Sequence, residues 1–341
     1  MSEEKFDAIV VGAVVAGCVA GYVMAQAGLD VLVIERGNSA DSKNMTGVRV
    51  DALLREGNRV TGVQAGEDAL GANVVILADG VNSLLGRSVG MVPPTSPHHY
   101  AVGVKELIAL PASQIEDRFN LAPGEGAAWL FAGSPSNGLM GGGFLYTNKD
   151  SISLGLVCGL GDIAHASKSV PQMLEDFKQN PTIRPLIQGG ELLEYSAHMV
   201  PEGGLEMVPS LVDDGVMIVG DAAGLCLNLG YTVRGMGLAI ASAQAATNAA
   251  IAAKQRQDFS SSSLMEYKRT LEQSFVLRDM HHYRKVPAMM ENPRMVADIM
   301  SDLFIIDGGP NVPVRAKIMK RAKQVGLINL LKDGIKGAKA L

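Results

Sequence analysis

Hydrophobic positions change period several times along this chain, and each change marks an element. Phe6–Val11 is a short unbroken apolar run of buried-strand type, and Val15–Ala27 is a small-residue helix that Gly28 ends. Leu29–Glu35 (LDVLVIE) reads as a second parallel-type strand, so residues 6–35 predict strand, tight turn, helix, strand. The polar segment Arg36–Gly47 has little periodicity. Val48–Leu54 and Arg59–Gln64 read as a hairpin around Glu56-Gly57-Asn58, and Ala72–Ala78 (ANVVILA) as another buried strand running into Asp79-Gly80.

From Tyr100 to Val200 the pattern alternates, with strands expected at Ala128–Ala132, Gly142–Thr147 and Ser151–Val157 and a helix at Val170–Gln179. That change predicts an antiparallel-sheet domain inserted into the first one. Val216–Gly220 returns to a buried strand, followed by Asp221 and a glycine-punctuated turn. A long small-residue helix then covers Met236 to Lys254, and the chain from Ser262 onward reads as mostly helical, with breaks at Pro287, Pro293 and Pro313. The expected divisions are 1–90 and 206–255 for the two parts of the first domain, 91–205 for the inserted sheet domain, and 256–341 for a helical C-terminal region. No internal repeat or low-complexity tract is read.

Composition sharpens this picture in three places. The 341 residues are 47% hydrophobic and 19% charged with 39 glycines, which suits a turn-rich α/β protein of about two domains that holds a ligand through its backbone. A net charge of −5 gives nucleic-acid binding no electrostatic support. Cys18, Cys158 and Cys226 are far apart with no Cys-x-x-Cys pair, arguing for a reducing compartment and against a disulfide framework, a zinc site or an iron–sulfur cluster held by this chain alone. The acidic N-terminus runs straight into the first strand, so no signal peptide is expected, and no uninterrupted apolar stretch reaches bilayer length. The expected location is the cytoplasm, with the inner-membrane surface as the alternative.

The first chemical motif is Gly12-Ala13-Val14-Val15-Ala16-Gly17, between strand and helix. In a G-x-G-x-x-G unit the first glycine makes the turn, the second lets backbone approach a pyrophosphate, and the third lets helix and strand pack. Here Val14 takes the middle position, while Glu35 closes the second strand where a ribose-binding carboxylate is expected. The second motif, Leu77-Ala78-Asp79-Gly80-Val81-Asn82-Ser83, by itself reads as an ordinary strand-end turn. The third is Met217-Ile218-Val219-Gly220-Asp221-Ala222-Ala223-Gly224 with Gly230-Tyr231-Thr232-Val233-Arg234-Gly235-Met236-Gly237: an acid at a strand end, then a glycine-flanked helix start able to stabilise negative charge on a ligand. His98-His99 and His281-His282 are adjacent pairs without good metal-ligand geometry. Cys226 reads as a small buried thiol.

These three motifs, in this order, resemble the glutathione-reductase-type flavoproteins. Lys43-Asn44-Met45-Thr46-Gly47, the Trp129–Thr147 stretch and the tail Gly326-Leu327-Ile328-Asn329-Leu330-Leu331-Lys332-Asp333-Gly334 are similar to the FixC group. These are bacterial relatives of electron-transfer-flavoprotein–quinone oxidoreductase within the geranylgeranyl-reductase-like branch. The resemblance implies an α/β, α+β composite fold: a Rossmann-like FAD-binding domain, an inserted antiparallel-sheet domain and a helical C-terminus. It implies FAD as cofactor, with Gly12, Ala13, Val14, Gly17, Glu35, Arg36 and Asn44 around the ADP half and Asp79 and Gly80 on the mid-chain turn. Gly220 and Asp221 fall at the ribityl, and Gly235, Met236 and Gly237 beside the isoalloxazine. Because the isoalloxazine carries the redox chemistry, no side chain is assigned as catalytic and no metal is expected.

Three departures from that family matter. Val14 would occupy space the phosphates need and stiffens the turn. The family carries strand and helix material after Thr46-Gly47, including an arginine that contacts FAD, and this chain lacks it. The quinone oxidoreductases hold a four-iron cluster through C-terminal cysteines, whereas no cysteine follows Cys226; FixC-type proteins share that absence, and a separate ferredoxin-like partner supplies the cluster. The implied activity is electron transfer from an electron-transfer flavoprotein to a ferredoxin-like iron–sulfur partner or quinone. The alternatives are a same-fold reductase or monooxygenase on an apolar substrate, and a flavin-free scaffold created by Val14 and the short early region. Near the C-terminus, Arg315, Lys317, Lys320, Arg321, Lys323, Lys332, Lys336 and Lys339 lie among apolar residues, a pattern read equally as an interaction surface for membrane or acidic partner and as a solvated helix face.

Overall fold

The computed structural model describes residues 5–37, 47–161, 163–229, 232–292, 319, 323 and 326–340. The chain forms two compact units: Met1–Thr95 with Pro201–Arg284, and Ser96–Val200 with Lys285–Leu341.

In the first unit, β1 (Lys5–Val11) leads through a tight turn into α1 (Val15–Gln26), and β2 (Val31–Ile34) returns parallel to β1. Gly28, with φ +79°, makes the left-handed turn after α1. β2 is shorter than the apolar run suggested, and at its start the Asp30 amide donates to the Asp7 carboxylate rather than to a strand carbonyl. The next strands, β3 (Ala52–Glu56), β4 (Arg59–Ala65) and β5 (Asp68–Leu77), form an antiparallel meander. The expected strand at Val48–Asp51 is absent; Asp51 instead accepts from Arg49 and from the Gly66 amide. β5 begins earlier than expected, because its first half pairs with β4 while its second half runs parallel to β1.

A short α2 (Leu84–Ser88) closes this first half. The second unit is built on β6 (Tyr100–Ala109), α3 (Ala112–Phe119), β7 (Ala128–Ala132), β8 (Gly141–Thr147), β9 (Ser151–Gly159), α4 (Val170–Gln179), α5 (Arg184–Ile187) and β10 (Glu191–Pro201). Its sheet order is β10-β6-β9-β8-β7, with Leu145, Ile152, Leu154 and Leu156 packed against Met173, Leu174 and Phe177 of α4. Ser169 and Gln172 form a reciprocal capping box that starts α4 where a proline at its second position needs no donor.

The chain then re-enters the first unit through β11 (Val212–Asp213), β12 (Val216–Ile218), the small ribbon β13 (Leu227–Asn228) and β14 (Val233–Arg234), and α6 (Met236–Arg256). The main sheet runs β11-β12-β5-β1-β2, with β3 and β4 attached through β5. Helices α7 (Ser261–Leu264), α8 (Glu266–Gln273) and α9 (Phe275–His282) complete this unit. α6 packs on α1 and α8 through small buried residues such as Ala243, Ala246 and Ala250. By length and composition α6 is long and apolar enough to cross a bilayer, although Gln244, Thr247 and Asn248 interrupt its apolar run. Just over half of its apolar window is buried inside the fold, as in a core helix.

Beyond it, α10 (Val286–Met290) contains Pro287 in its first turn, so that proline starts a helix where a break was expected. α10 packs on the C-terminal helix Leu327–Ala340, to which Asn292 bonds through Asp333 at 3.1 Å. The expected breaks at Pro293 and Pro313 lie outside the described residues, as do Arg315, Lys317, Lys320 and Arg321.

Candidate functional site

Strand register decides where the motifs meet. β2, β1, β5 and β12 are parallel, and their last residues, Ile34, Val11, Leu77 and Ile218, form one row. The hydrogen-bond ladder continues one residue further: Gly12 N–H donates to Ile34 O, Ala78 N–H to Val11 O and Val219 N–H to Leu77 O, at 2.8–2.9 Å. Glu35, Gly12, Asp79 and Asp221 therefore emerge from the carboxyl edge of one sheet, where ligands of open α/β sheets bind.

Gly12 has φ +99°, and a Cβ there would overlap the Ala78 carbonyl. A Cβ on Gly17 would collide with the Gly12 carbonyl, so α1 can start this close to the strand only with glycine at both places. Position 14 differs. Val14 is the residue before α1, with φ −94° and ψ −161°, an extended backbone open to any side chain, and its side chain is 45% exposed. α1 has no side-chain cap and no acid in its first turn, so its positive end is open to an anion.

Glu35 lies across the same loop. Its Oε2 accepts the Ala13 amide at 2.6 Å and its Oε1 the Gly37 amide at 2.9 Å. Each carboxylate oxygen keeps a second lone pair for a ligand hydroxyl. Arg36 is exposed beside it, and its carbonyl accepts from the Gly47 amide. Asn44 lies outside the described residues, as do Gly230 and Tyr231 of the third motif.

The Asp79 carboxyl is buried. Desolvation raises its pKa against the backbone amides of the turn and the charge of Arg36, which lower it. Its Oδ2 accepts the Leu85 amide at 3.3 Å, but its Oδ1 has no partner, and neither does the buried Ser83 hydroxyl four residues on. Gly80 and Ser83 both have positive φ, at +78° and +42°. Two unsatisfied buried oxygens at a strained strand-end turn mark a place where a ligand or water completes the hydrogen bonding.

Gly220 links this turn system to the far end of the site. It has φ +62°, and a Cβ there would lie 3.1 Å from Ala16 and 3.5 Å from Ala239, so the starts of α1 and α6 converge on it. Its amide donates to Ser242 on α6 at 3.0 Å. Asp221 follows, half-buried; a Cβ on Gly235 would lie 3.9 Å from both Asp221 Oδ1 and Cys226 Sγ. Gly235 precedes α6 without a side-chain cap, Met236 is 72% exposed, and a Cβ on Gly237 would meet nothing within 4 Å. This is an open face with a helix N-terminus behind it.

Sequence reasoning passed over Ser83, Ser242, Glu202 and Asn228. Glu202 is almost fully buried, and its Oε2 accepts from Asn228 Nδ2 at 2.7 Å. Pro201-Glu202-Gly203-Gly204 reads as a solvated turn, and no local pattern signals that its acid is buried. Together the arrangement can hold an elongated ligand with hydroxyls at Glu35 and Asp221, an anionic centre at α1 and a planar head at the α6 start.

Two family models match: "ETF-QO, ubiquinone-binding" over residues 100–200 and "ETF-QO/FixC family C-terminal domain" over residues 283–341. The probable electron transfer flavoprotein-quinone oxidoreductase YdiS of Escherichia coli (strain K12) is 63% identical, with the whole of both chains covered. The chain belongs to the FixC and electron-transfer-flavoprotein–quinone oxidoreductase family. Protein FixC of Salmonella typhi is 47% identical, again over the whole of both chains. Each alignment spans 429 positions against the 341 residues here, so about 88 positions of these relatives have no counterpart in this member of the family. Among solved structures, a geranylgeranyl bacteriochlorophyll reductase-like protein from Thermoplasma acidophilum aligns with TM-score 0.70 at 17% identity, covering 97% of this chain and 100% of that one. A flavoprotein/dehydrogenase from Cytophaga hutchinsonii aligns with TM-score 0.59 at 12% identity, covering 98% and 99%. These likenesses establish the fold as the α/β flavoprotein type, and the family is one of FAD-dependent oxidoreductases.

Proposed function

We propose that this protein is an FAD-dependent electron-transfer oxidoreductase that accepts electrons from an electron-transfer flavoprotein and delivers them to a quinone. The observation that carries this reading is the convergence at Gly220, where the starts of α1 and α6 meet on the sheet edge that also presents Glu35, Asp79 and Asp221. The donor set suits FAD. Glu35 would hold ribose hydroxyls, the open N-terminus of α1 the diphosphate, Asp221 a ribityl hydroxyl, and the α6 start would lie on the isoalloxazine side. The unpartnered Asp79 Oδ1 and Ser83 hydroxyl supply further acceptor and donor capacity at the same edge. FAD supplies the redox chemistry, and the protein's part is to bind it, orient it and set its electrostatic surroundings.

One residue fits poorly. Val14 stands, partly exposed and in extended backbone, immediately before α1, where a G-x-G-x-x-G unit has its middle glycine, so its side chain would weaken FAD binding without disturbing the fold. A ferredoxin-like iron–sulfur protein is the second acceptor this reading admits, since the chain has no cysteine after Cys226 with which to hold a cluster itself. With quinone as acceptor the protein works at a membrane surface; with a ferredoxin-like acceptor it works in the cytoplasm.

The test is anaerobic. The FAD-loaded chain is mixed with reduced electron-transfer flavoprotein and the flavin absorbance is followed, then a short-chain ubiquinone is added. Bleaching on the first addition and recovery on the second are expected. Flavin that stays oxidised with the reduced donor overturns the donor assignment, and flavin that stays reduced with the quinone but reoxidises with a ferredoxin moves the acceptor to the iron–sulfur partner.

A further inference from the structure

Glu202 is the buried acid that the reading above leaves without a task. It is 5% exposed, in the segment that leads into the turn Gly204–Met207, and Asn228 is the side chain that donates to it. That turn packs on the flavin-side loop: a Cβ on Gly224 would lie 2.8 Å from the Met207 carbonyl. Cys226, on the same loop, feels the charges of both Glu202 and Asp221, and both push its thiol up in addition to burial. Cys226 Sγ and Asp221 Oδ1 in turn back onto Gly235 at the α6 start. The charges facing this pocket come from the Cys226 thiol and Asp221 on the loop and from Arg278, Asp279, His281 and His282 on α9, which packs on the Gly204–Met207 turn; among the described residues no cation pairs with Glu202.

We propose that the Glu202 carboxyl is a positioning residue that holds a proton near the α6 start and couples electron arrival at that face to proton uptake. The proposal rests on the FAD reading. Burial without a cation favours the neutral carboxyl, and burial moves Glu202 up to about 7 against the hydrogen bond from Asn228, which lowers it. Negative charge arriving at the α6 start disfavours ionised Glu202 further, so the carboxyl takes a proton from solvent as an electron arrives and returns it as the electron leaves. The electron comes from the reduced donor flavoprotein and leaves to the quinone; the O–H bond on Glu202 forms and breaks, and no other bond of the protein changes.

The experiment measures the midpoint potential of the FAD-loaded chain on both sides of pH 7, alongside thermal melting of the same proteins without flavin. The wild-type potential bends with pH near 7, Glu202→Gln removes the bend, and Asn228→Ala, which deletes the lowering hydrogen bond, moves it to higher pH. In melting, the folded pKa lies above the unfolded value, so the Glu202 contribution is fully present below about pH 4.5 and lost as pH rises to about 7; Glu202→Gln flattens that fall. Superimposable potential profiles for wild type and Glu202→Gln overturn the proposal. If Glu202→Gln does not fold, an unmoved bend in Asn228→Ala overturns it. A chain that binds no flavin removes the FAD reading and this coupling with it, while normal flavin binding with an unchanged pH profile removes the coupling alone.

Discussion

At position 14 the backbone makes no demand for glycine, and that separates Val14 from its neighbours Gly12 and Gly17. An extended φ of −94° accepts valine at no conformational cost, so only a ligand senses the side chain. Val14→Gly is therefore expected to tighten FAD binding about tenfold or more, the equivalent of ~1.4 kcal/mol, with melting unchanged or slightly raised; fluorescence titration with FAD reads it. Gly12→Ala does the opposite: with φ +99° and the Ala78 carbonyl in the way, it loses roughly 1–3 kcal/mol of stability from backbone strain alone, measured by urea unfolding. The places of Gly12, Glu35 and Asp221 were legible because each follows an apolar run, and that of Gly17 because it stands five residues after Gly12 in the first turn of the helix. Glu202, Ser83 and Ser242 were not, because burial is a property of the packed structure and each stands in a stretch that reads as an ordinary turn or helix.

The elements that carry the site are tied to one another by few bonds. Tyr267 on α8 is fully buried and donates to the Ile218 carbonyl at 2.8 Å, pinning the end of β12 just ahead of Gly220 and Asp221. Tyr267→Phe leaves that carbonyl without its buried donor and is expected to cost about 1–2 kcal/mol in denaturant unfolding, without abolishing the fold. Parallel strands β1 and β12 were readable as continuous apolar runs, and α4 as a helix over Val170–Gln179, while its Ser169–Gln172 capping box is seen only in the structure. The extension of β5 was not, because Asp68-Ala69-Leu70 looks like the rim of a turn and becomes a strand only by pairing with β4. The strand expected from Val48 starts only at Ala52: the Asp51 amide still donates to the Gln64 carbonyl, but the Asp51 carboxylate turns to Arg49 and the Gly66 amide and the ladder goes no further back.

For the whole molecule, family membership stands together with alignments in which about 88 positions of the relatives have no counterpart here. In the first unit β2 lies at the end of the sheet path among the described residues. The central claim is that the site at the carboxyl edge of this sheet still binds FAD. Its most direct test is a titration of the purified, flavin-stripped chain with FAD, following the flavin absorbance that stays with the protein after gel filtration. Close to one flavin per chain is expected to be retained at saturating FAD, with tighter retention in Val14→Gly. A chain that stays colourless at every FAD concentration, with Val14→Gly equally colourless, contradicts it.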